Sequence, residues 1–212
     1  DLFHAGSLGA GIPKTICTNV LGSGLIPKPQ IDFEVLGIDE ETARTIQKKI
    51  VREWKIFSKE CDALRRDNLE EIQQTALMSQ LINGDVGISI QYSLRKGERY
   101  GTKVLVIEAD RIDTPPDKTS NPNIRKGVEF GELGEIVAYH VYDKHPSDSG
   151  AKVSKRVEAY TKDGLMNFWM LLDVERVGQY RGVPVIAQSI EKIKQLDRYM
   201  NAELMSAVIS GM

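Results

Sequence analysis

Cysteine is scarce in this chain: Cys17 and Cys61 are the only two among 212 residues. Two thiols are too few for a disulfide framework, and neither has a close-spaced partner of metal-ligand type, so reduced thiols in a cytosol are the expected state. Long apolar runs are missing as well. Nothing approaches the roughly 20 residues that a membrane helix needs, and no membrane partner is expected. The opening stretch, DLFHAGSLGAGIPKTICTNV, carries no basic segment followed by an apolar one, so no secretory signal is expected in it. Charge of one sign is lacking too: 28 Lys+Arg against 30 Asp+Glu leave a formal net charge of −2. Coating nucleic acid depends on neutralising phosphates with surplus cations, so this balance argues against that role while leaving passing contact with DNA open.

Catalytic signatures are equally thin. GxSxG, GxxxxGK[ST], HExxH and paired CxxC are absent, and the early Gly22-Ser23-Gly24 lacks both the rest of a dinucleotide fingerprint and a strong preceding strand. His4, His140 and His145 share no helix face, and His140 falls on an expected strand near Tyr139 and Tyr142, the setting of a structural histidine. Asp110 and Asp113 flank Arg111 at a strand end, a spacing that suits a metal but more often makes turn hydrogen bonds and an ion pair. No catalytic, metal-ligating or cofactor-binding residue is assigned, and no cofactor is expected.

What is present is an ordinary globular composition, 41% hydrophobic and 27% charged, enough for a sizeable core. A helix is expected from about Glu40 to Phe57, with Asp39 as its cap, Ile46, Ile50, Trp54 and Phe57 on one face, and a solvated outer face. That outer face holds Arg44, Lys48, Lys49, Arg52, Lys55 and Lys59, nearly balanced by Asp39, Glu40, Glu41, Glu53 and Glu60. A second helix, about Asn68 to Ile82, opens with the capping-box pattern Asp67-x-x-Glu70, buries Leu69, Ile72, Ala76 and Leu81, and stops at Asn83-Gly84.

Beyond Gly84 the period becomes that of strands, at Val86 to Tyr92, Lys103 to Ile107, Glu135 to Tyr142, Val153 to Thr161 and Phe168 to Val174. Short turns between them predict a mainly antiparallel sheet flanked by amphipathic helices, an α+β architecture. Residues Thr114 to Gly127 are the most loop-like in the chain. Tyr92, Tyr100, Tyr139, Tyr142, Tyr160, Phe168 and Trp169 are scattered through the sheet region, and their neighbours form no compact aromatic and basic recognition signature, which suits sheet core better than base stacking. The expected organisation is an N-terminal segment, 1–38, partly irregular; a helical region, 39–84; a β region, 85–175; and a loop with a C-terminal helix, 176–212. The missing initiator Met and the stop at Gly211-Met212 suggest a piece of a longer polypeptide.

The C-terminal region is the most telling. RVGQYRGVPVIAQSIEKIKQLDRYMNAEL, Arg176 to Leu204, runs from a polar glycine-containing turn into a helix on which Ile186, Ile190, Ile193, Met200, Leu204 and Val208 form one stripe. Pro184 suits the first turn of that helix and Gly182 a tight entry to it. Arg176, Gln179 and Arg181 sit on the connecting loop, where arginine's planar fork of donors suits carboxylates, backbone carbonyls or phosphate. Such a loop locks either two segments or two subunits.

These residues resemble the lambda-type branch of the tailed-bacteriophage portal family, in which an R-x-G-Q-x-R-G-x-P loop precedes a helix carrying D-x-Y-x-x-A-E. The matching positions are Arg176, Gly178, Gln179, Arg181, Gly182, Pro184, Asp197, Tyr199, Ala202 and Glu203. Weaker echoes follow in order: Trp54 with Asp62, NGD at Asn83 to Asp85, EADRIDTP at Glu108 to Pro115, AYHVYDKHP at Ala138 to Pro146 and, near the start, VLGSGLIPKP at Val20 to Pro29. The resemblance implies a wing-like region leading toward a stem and clip that lie beyond Met212. It also implies a non-enzymatic subunit of a dodecameric ring at the head vertex, a channel for DNA packaging and ejection. Its partners would be further copies of itself, the terminase, capsid and head-tail joining proteins, and double-stranded DNA in transit. Its location would be the virion, with the host cytoplasm during assembly. The motif positions then become candidates for structural and oligomer-interface roles. Two other readings remain: a metal-dependent hydrolase in which hairpins gather Asp110, Asp113, His140 and Asp143, and a virion or scaffold binding module that forms no channel.

Overall fold

A computed structural model describes residues 7–185 and 187–211. Four helices precede the strands: α1 (Ser7–Leu21), the single turn α2 (Phe33–Leu36), α3 (Glu40–Glu60) and α4 (Leu69–Asn83). Seven strands follow: β1 (Asp85–Tyr92), β2 (Thr102–Glu108), β3 (Ile124–Arg125), β4 (Val128–Phe130), β5 (Ile136–Tyr142), β6 (Ser154–Glu158) and β7 (Phe168–Leu172). Helix α5 (Ile190–Ser210) closes the described chain. The expected α+β mixture of helices and antiparallel ladders is what the chain forms.

Local chemistry sets the helix boundaries. The Asp39 carboxylate accepts from the Thr42 N–H at 2.8 Å and from its hydroxyl at 2.6 Å, so α3 starts where a cap was expected. The basic outer face of α3 is solvated, with Arg44 paired to Glu40 one turn away at 2.7 Å. Its Trp54 and Phe57 pack on Cys61, Leu69 and Ile72, whereas Ile46 and Ile50 remain 38% and 40% exposed. After α3, the Asp62 carboxylate collects the N–H groups of Leu64, Arg66 and Asp67 and turns the chain.

The capping box of α4 falls one residue later than the Asp67/Glu70 pattern. Asn68 accepts from the Glu71 N–H at 3.0 Å, while the Glu71 carboxylate accepts from the Asn68 N–H at 2.8 Å. Asp67 was the better-looking acid, but its N–H already donates to Asp62 and its side chain holds Arg66. Helix α1 was not anticipated, because Pro13 stands inside it. It lies against α4 and buries Pro13 and Cys17.

The strands form two sheets rather than one. The first has the order β2-β1-β7 and the second β3-β4-β5-β6, with every ladder antiparallel. Alternation along β1 and β2 divides their side chains. Val86 and Ile88 face Ala76 of α4, with Val104 and Val106 beside them, while Ile107 joins Phe168 and Met170 against Tyr139, Val141 and Val128 of the second sheet. The first sheet is thus covered by α4 on one face and by the second sheet on the other. Part of the segment expected to be a loop, Thr114 to Gly127, contributes β3, whose Ile124 is buried. A strand of two residues is too short to show a period.

The C-terminal helix begins later than the sequence suggested. Pro184 is not in its first turn: the Pro184 carbonyl accepts from the Ala187 N–H, a short 3-10 turn spans Ala187–Ser189, and α5 starts at Ile190. Of the expected stripe, Ile186 lies outside the described residues. Ile190 and Ile193 are half-buried, while Met200, Leu204 and Val208 stand exposed.

Candidate functional site

Three of the segments singled out by motif, NGD, EADRIDTP and the loop before α5, converge on one guanidinium. Asp85 begins β1 directly after Gly84 ends α4, so its carboxylate is fixed at the junction of two regular elements, with only 2% of the side chain exposed. Arg181 meets it in a forked pair, Nε to Oδ2 at 2.7 Å and Nη2 to Oδ1 at 3.1 Å. Its remaining donors reach backbone carbonyls: Nη1 to Ile112 at 2.7 Å and Lys126 at 2.9 Å, and Nη2 to Ala109 at 3.0 Å. All five N–H groups of the guanidinium are used. The Gly182 N–H adds a further donor to Asp85 Oδ2 at 2.7 Å. A charge pair this deep in the protein is tolerated only because each donor is answered.

Glycines make the approach possible. A Cβ on Gly182 would lie 1.8 Å from the Gly84 carbonyl oxygen, and Gly84 itself holds φ +91 with Gly182 backbone 2.6 Å from where its own Cβ would stand. The two backbones lie back to back, which the Gly in NGD and the Gly in RGVP each permit.

AYHVYDKHP is joined to this node through EADRIDTP. Arg111 donates to the carbonyls of Tyr142 at 3.0 Å and Asp143 at 3.1 Å, and Ile112 bridges Val141, so EADRIDTP is sewn to AYHVYDKHP. Gln179 staples its own loop, giving its amide N–H groups to Asp173 and Arg181 carbonyls and accepting from the Glu175 N–H. Tyr180 sets its ring edge-on to Phe130 at 5.2 Å. Arg176 and Gly178 stay exposed on the loop, Gly178 with φ +78. Pro184 is half-buried in the exit from the node. Asp197, Tyr199 and Glu203 are exposed on α5, so the second half of the motif does not join the first.

The hydrolase quartet is not gathered. Asp110 pairs with His145 at 3.4 Å, Asp113 accepts from the adjacent Thr114 N–H, and Asp143 accepts from the Val153 N–H. The Val153 bond holds the Asp143 carboxyl below the usual carboxylate range. His140 is buried beside Glu129 at 2.9 Å, and Glu129 in turn takes Arg156 in a forked pair at 2.9 and 3.0 Å. Burial pushes the His140 imidazole toward its neutral form despite the neighbouring carboxylate, while Arg156 holds Glu129 ionised. Among the described residues no three His, Cys, Asp or Glu side chains assemble a cage for a metal ion.

Sequence reasoning missed Glu129, which links three strands through His140 and Arg156. It also missed Lys103, fully buried with its ammonium on the Glu60 carbonyl at 2.6 Å and the Glu98 carboxylate at 2.7 Å. Lys103 carried a signal: it shares the inward period of Leu105 and Ile107, where a cation demands an acid.

A sequence profile of phage portal proteins of the lambda family matches residues 1–212. The chain belongs to the lambda family of phage portal proteins. Among curated relatives, it is 23% identical to portal protein B of Escherichia phage lambda over 217 residues and 21% identical to the portal protein of Escherichia phage N15 over 216. Both alignments take in 100% of this chain but 40% and 41% of the relatives, so the chain spans about 40% of their length. For this portal-family chain the Arg181 node is a joint of the fold: it ties the α4–β1 junction, the end of β2, the turn before β4 and the C-terminal loop to one another.

Proposed function

We propose that the protein is a structural subunit of the portal ring at the phage head vertex, lining or supporting the channel through which DNA is packaged and ejected, meeting the terminase and joining head to tail. It acts without catalysis, as a member of a closed ring of copies, dodecameric as the family resemblance implies, inside the virion after assembly in the host cytoplasm. The observation that carries this reading is the family match across the whole chain. The internal use of Arg181 and Gly182 supports it, since a closed ring needs rigid subunits. The near-zero net charge suits a channel along which DNA slides rather than sticks. Among the described residues no helix is long and apolar enough to cross a membrane.

The motif positions on α5, Asp197, Tyr199 and Glu203, are proposed to serve contacts outside this chain, because all three are exposed and none makes a side-chain hydrogen bond or ion pair among the described residues. Negative-stain electron microscopy of the natural full-length protein tests the reading. Ring-shaped particles with a central hole and cyclic symmetry are expected; monodisperse small particles across a range of salt overturn it and leave the family likeness as shared fold.

A further inference from the structure

Strand β2 is an edge of the first sheet, and its outer side is only half covered. At the near end, the Val104 N–H donates to the Cys61 carbonyl at 2.7 Å and the Val104 carbonyl accepts from Ala63 N–H at 3.0 Å, a parallel bridge centred on Asp62. The chain then leaves the edge, because Asp62 gathers the next turn and Arg65 takes φ 58. Ladder alternation fixes what is left behind. If the backbone groups of Val104 face outward, those of Val106 and Glu108 do too, since both stand opposite β1 residues two and four steps along the same register. Among the described residues neither has a hydrogen-bonding partner on that side.

A cleft of about 870 Å³ opens at this point. Its apolar wall combines Leu64, 61% exposed, with Met78 and Ile82 of α4 and Val106 of β2. Its far end is acidic. Glu108 is exposed without a cationic partner among the described residues, and Asp110 is 65% exposed with only His145 beside it. The cations lining the cleft are already engaged: Arg66 holds Asp67, and Arg111 is spent on the Tyr142 and Asp143 carbonyls.

We propose that this cleft is a strand-addition site for an extended segment of a partner protein, apolar in its middle and basic at its end. The segment extends the ladder where Ala63 departs, hydrogen-bonding to the backbone of Val106 and Glu108. An apolar side chain sits against Met78 and Ile82, and a Lys or Arg reaches Glu108 and Asp110. The backbone edge supplies affinity, and the acidic end sets the charge of the partner.

The test uses the full-length protein and the fluorescent peptide Lys-Val-Thr-Val-Lys, followed by anisotropy, with amide hydrogen exchange to locate it. Binding is expected, with slowed exchange at Val106 and Glu108. A Glu108→Lys/Asp110→Lys double variant weakens it roughly tenfold and favours the peptide Glu-Val-Thr-Val-Glu instead. N-methylating alternate amides of the peptide abolishes binding without altering the protein, separating strand pairing from mere charge attraction. The proposal is overturned by absence of binding to the folded protein, by affinity indifferent to the double variant or to N-methylation, or by protection of the same amides through self-association without peptide, which would make a second copy the occupant.

Discussion

One motif is split between two regions that behave oppositely. In its first half, Arg181 and Gly182 are consumed by the fold, with every guanidinium donor answered and the backbones of Gly182 and Gly84 in contact. In its second half, α5 exposes Tyr199, Met200, Leu204, Met205, Val208 and Ile209, each at least 50% accessible, and no described residue of the helix is buried. Adjacent residues of a single recognisable string thus serve different masters. The loop holds this chain together, and the helix carries an apolar surface left exposed among the described residues.

The sharpest way to break the contrast is to remove the node. Arg181→Ala leaves the Asp85 carboxylate buried without its cation and strands three carbonyls, a loss of about 3–5 kcal/mol. Denaturant melts of the variant should show a much lower midpoint, and ring yield from the full-length protein should fall with it. An unchanged midpoint would mean that the node is not what joins the two sheets. Arg181→Lys rescues only partly, because one ammonium cannot reproduce the fork.

Next in size is Gly182→Ala. The added methyl meets the Gly84 carbonyl at 1.8 Å, main chain against main chain, so the loop must lift off the α4–β1 junction. The expected cost is about 1–3 kcal/mol in the same melts. Gly178→Ala separates space from backbone angle: nothing lies within 4 Å of the new methyl, but φ +78 remains unfavourable, for a cost of about 1 kcal/mol.

The pattern of success and failure in the sequence follows from range. Helix α3, its Asp39 cap and the buried side of α4 were legible because each depends on residues within a few turns of one another. The α4 box slipped to Asn68 because Asp62, five residues upstream, had already claimed the Asp67 N–H. Strands β3 and β4 were invisible at two and three residues. The division into two sheets was hidden because nothing local says that β7 returns to pair with β1 across a separation of about eighty residues. As for the node, the string suggested that Arg181 locks something to something. That its partner is Asp85, 96 residues away, is a fact of topology.

Acid should separate the packed second sheet from the exposed α5, at a smaller scale. Burial lowers the His140 pKa below its ordinary value near 6.5, so the folded state takes up that proton less readily than the unfolded chain, and stability declines as pH falls below about 6.5 toward the folded value. Glu129 is lowered from an ordinary 4.5, chiefly by Arg156, and its contribution is lost at still lower pH. Both act in the same direction. Chemical melts between pH 7.5 and 5 should show a declining midpoint in the wild type and a flatter one in His140→Gln; parallel slopes would sink the assignment. The exposed α5 has no such group buried in it and should not contribute to the slope.

The smallest effect expected in this chain is the one that says most about α5. Leu204→Ser replaces a side chain that is 66% exposed, so folding stability should change by less than about 0.5 kcal/mol. Arg181→Ala predicts failure at the fold and, only through it, at assembly. Leu204→Ser, on the proposal that the α5 stripe is covered in the ring, predicts the reverse order: normal melts of the single chain with impaired ring formation by the full-length protein. A variant that melts normally and also assembles normally would show that Leu204 stays in solvent throughout, and would shift the search for the helix's contact to the side carrying Tyr199 and Met205.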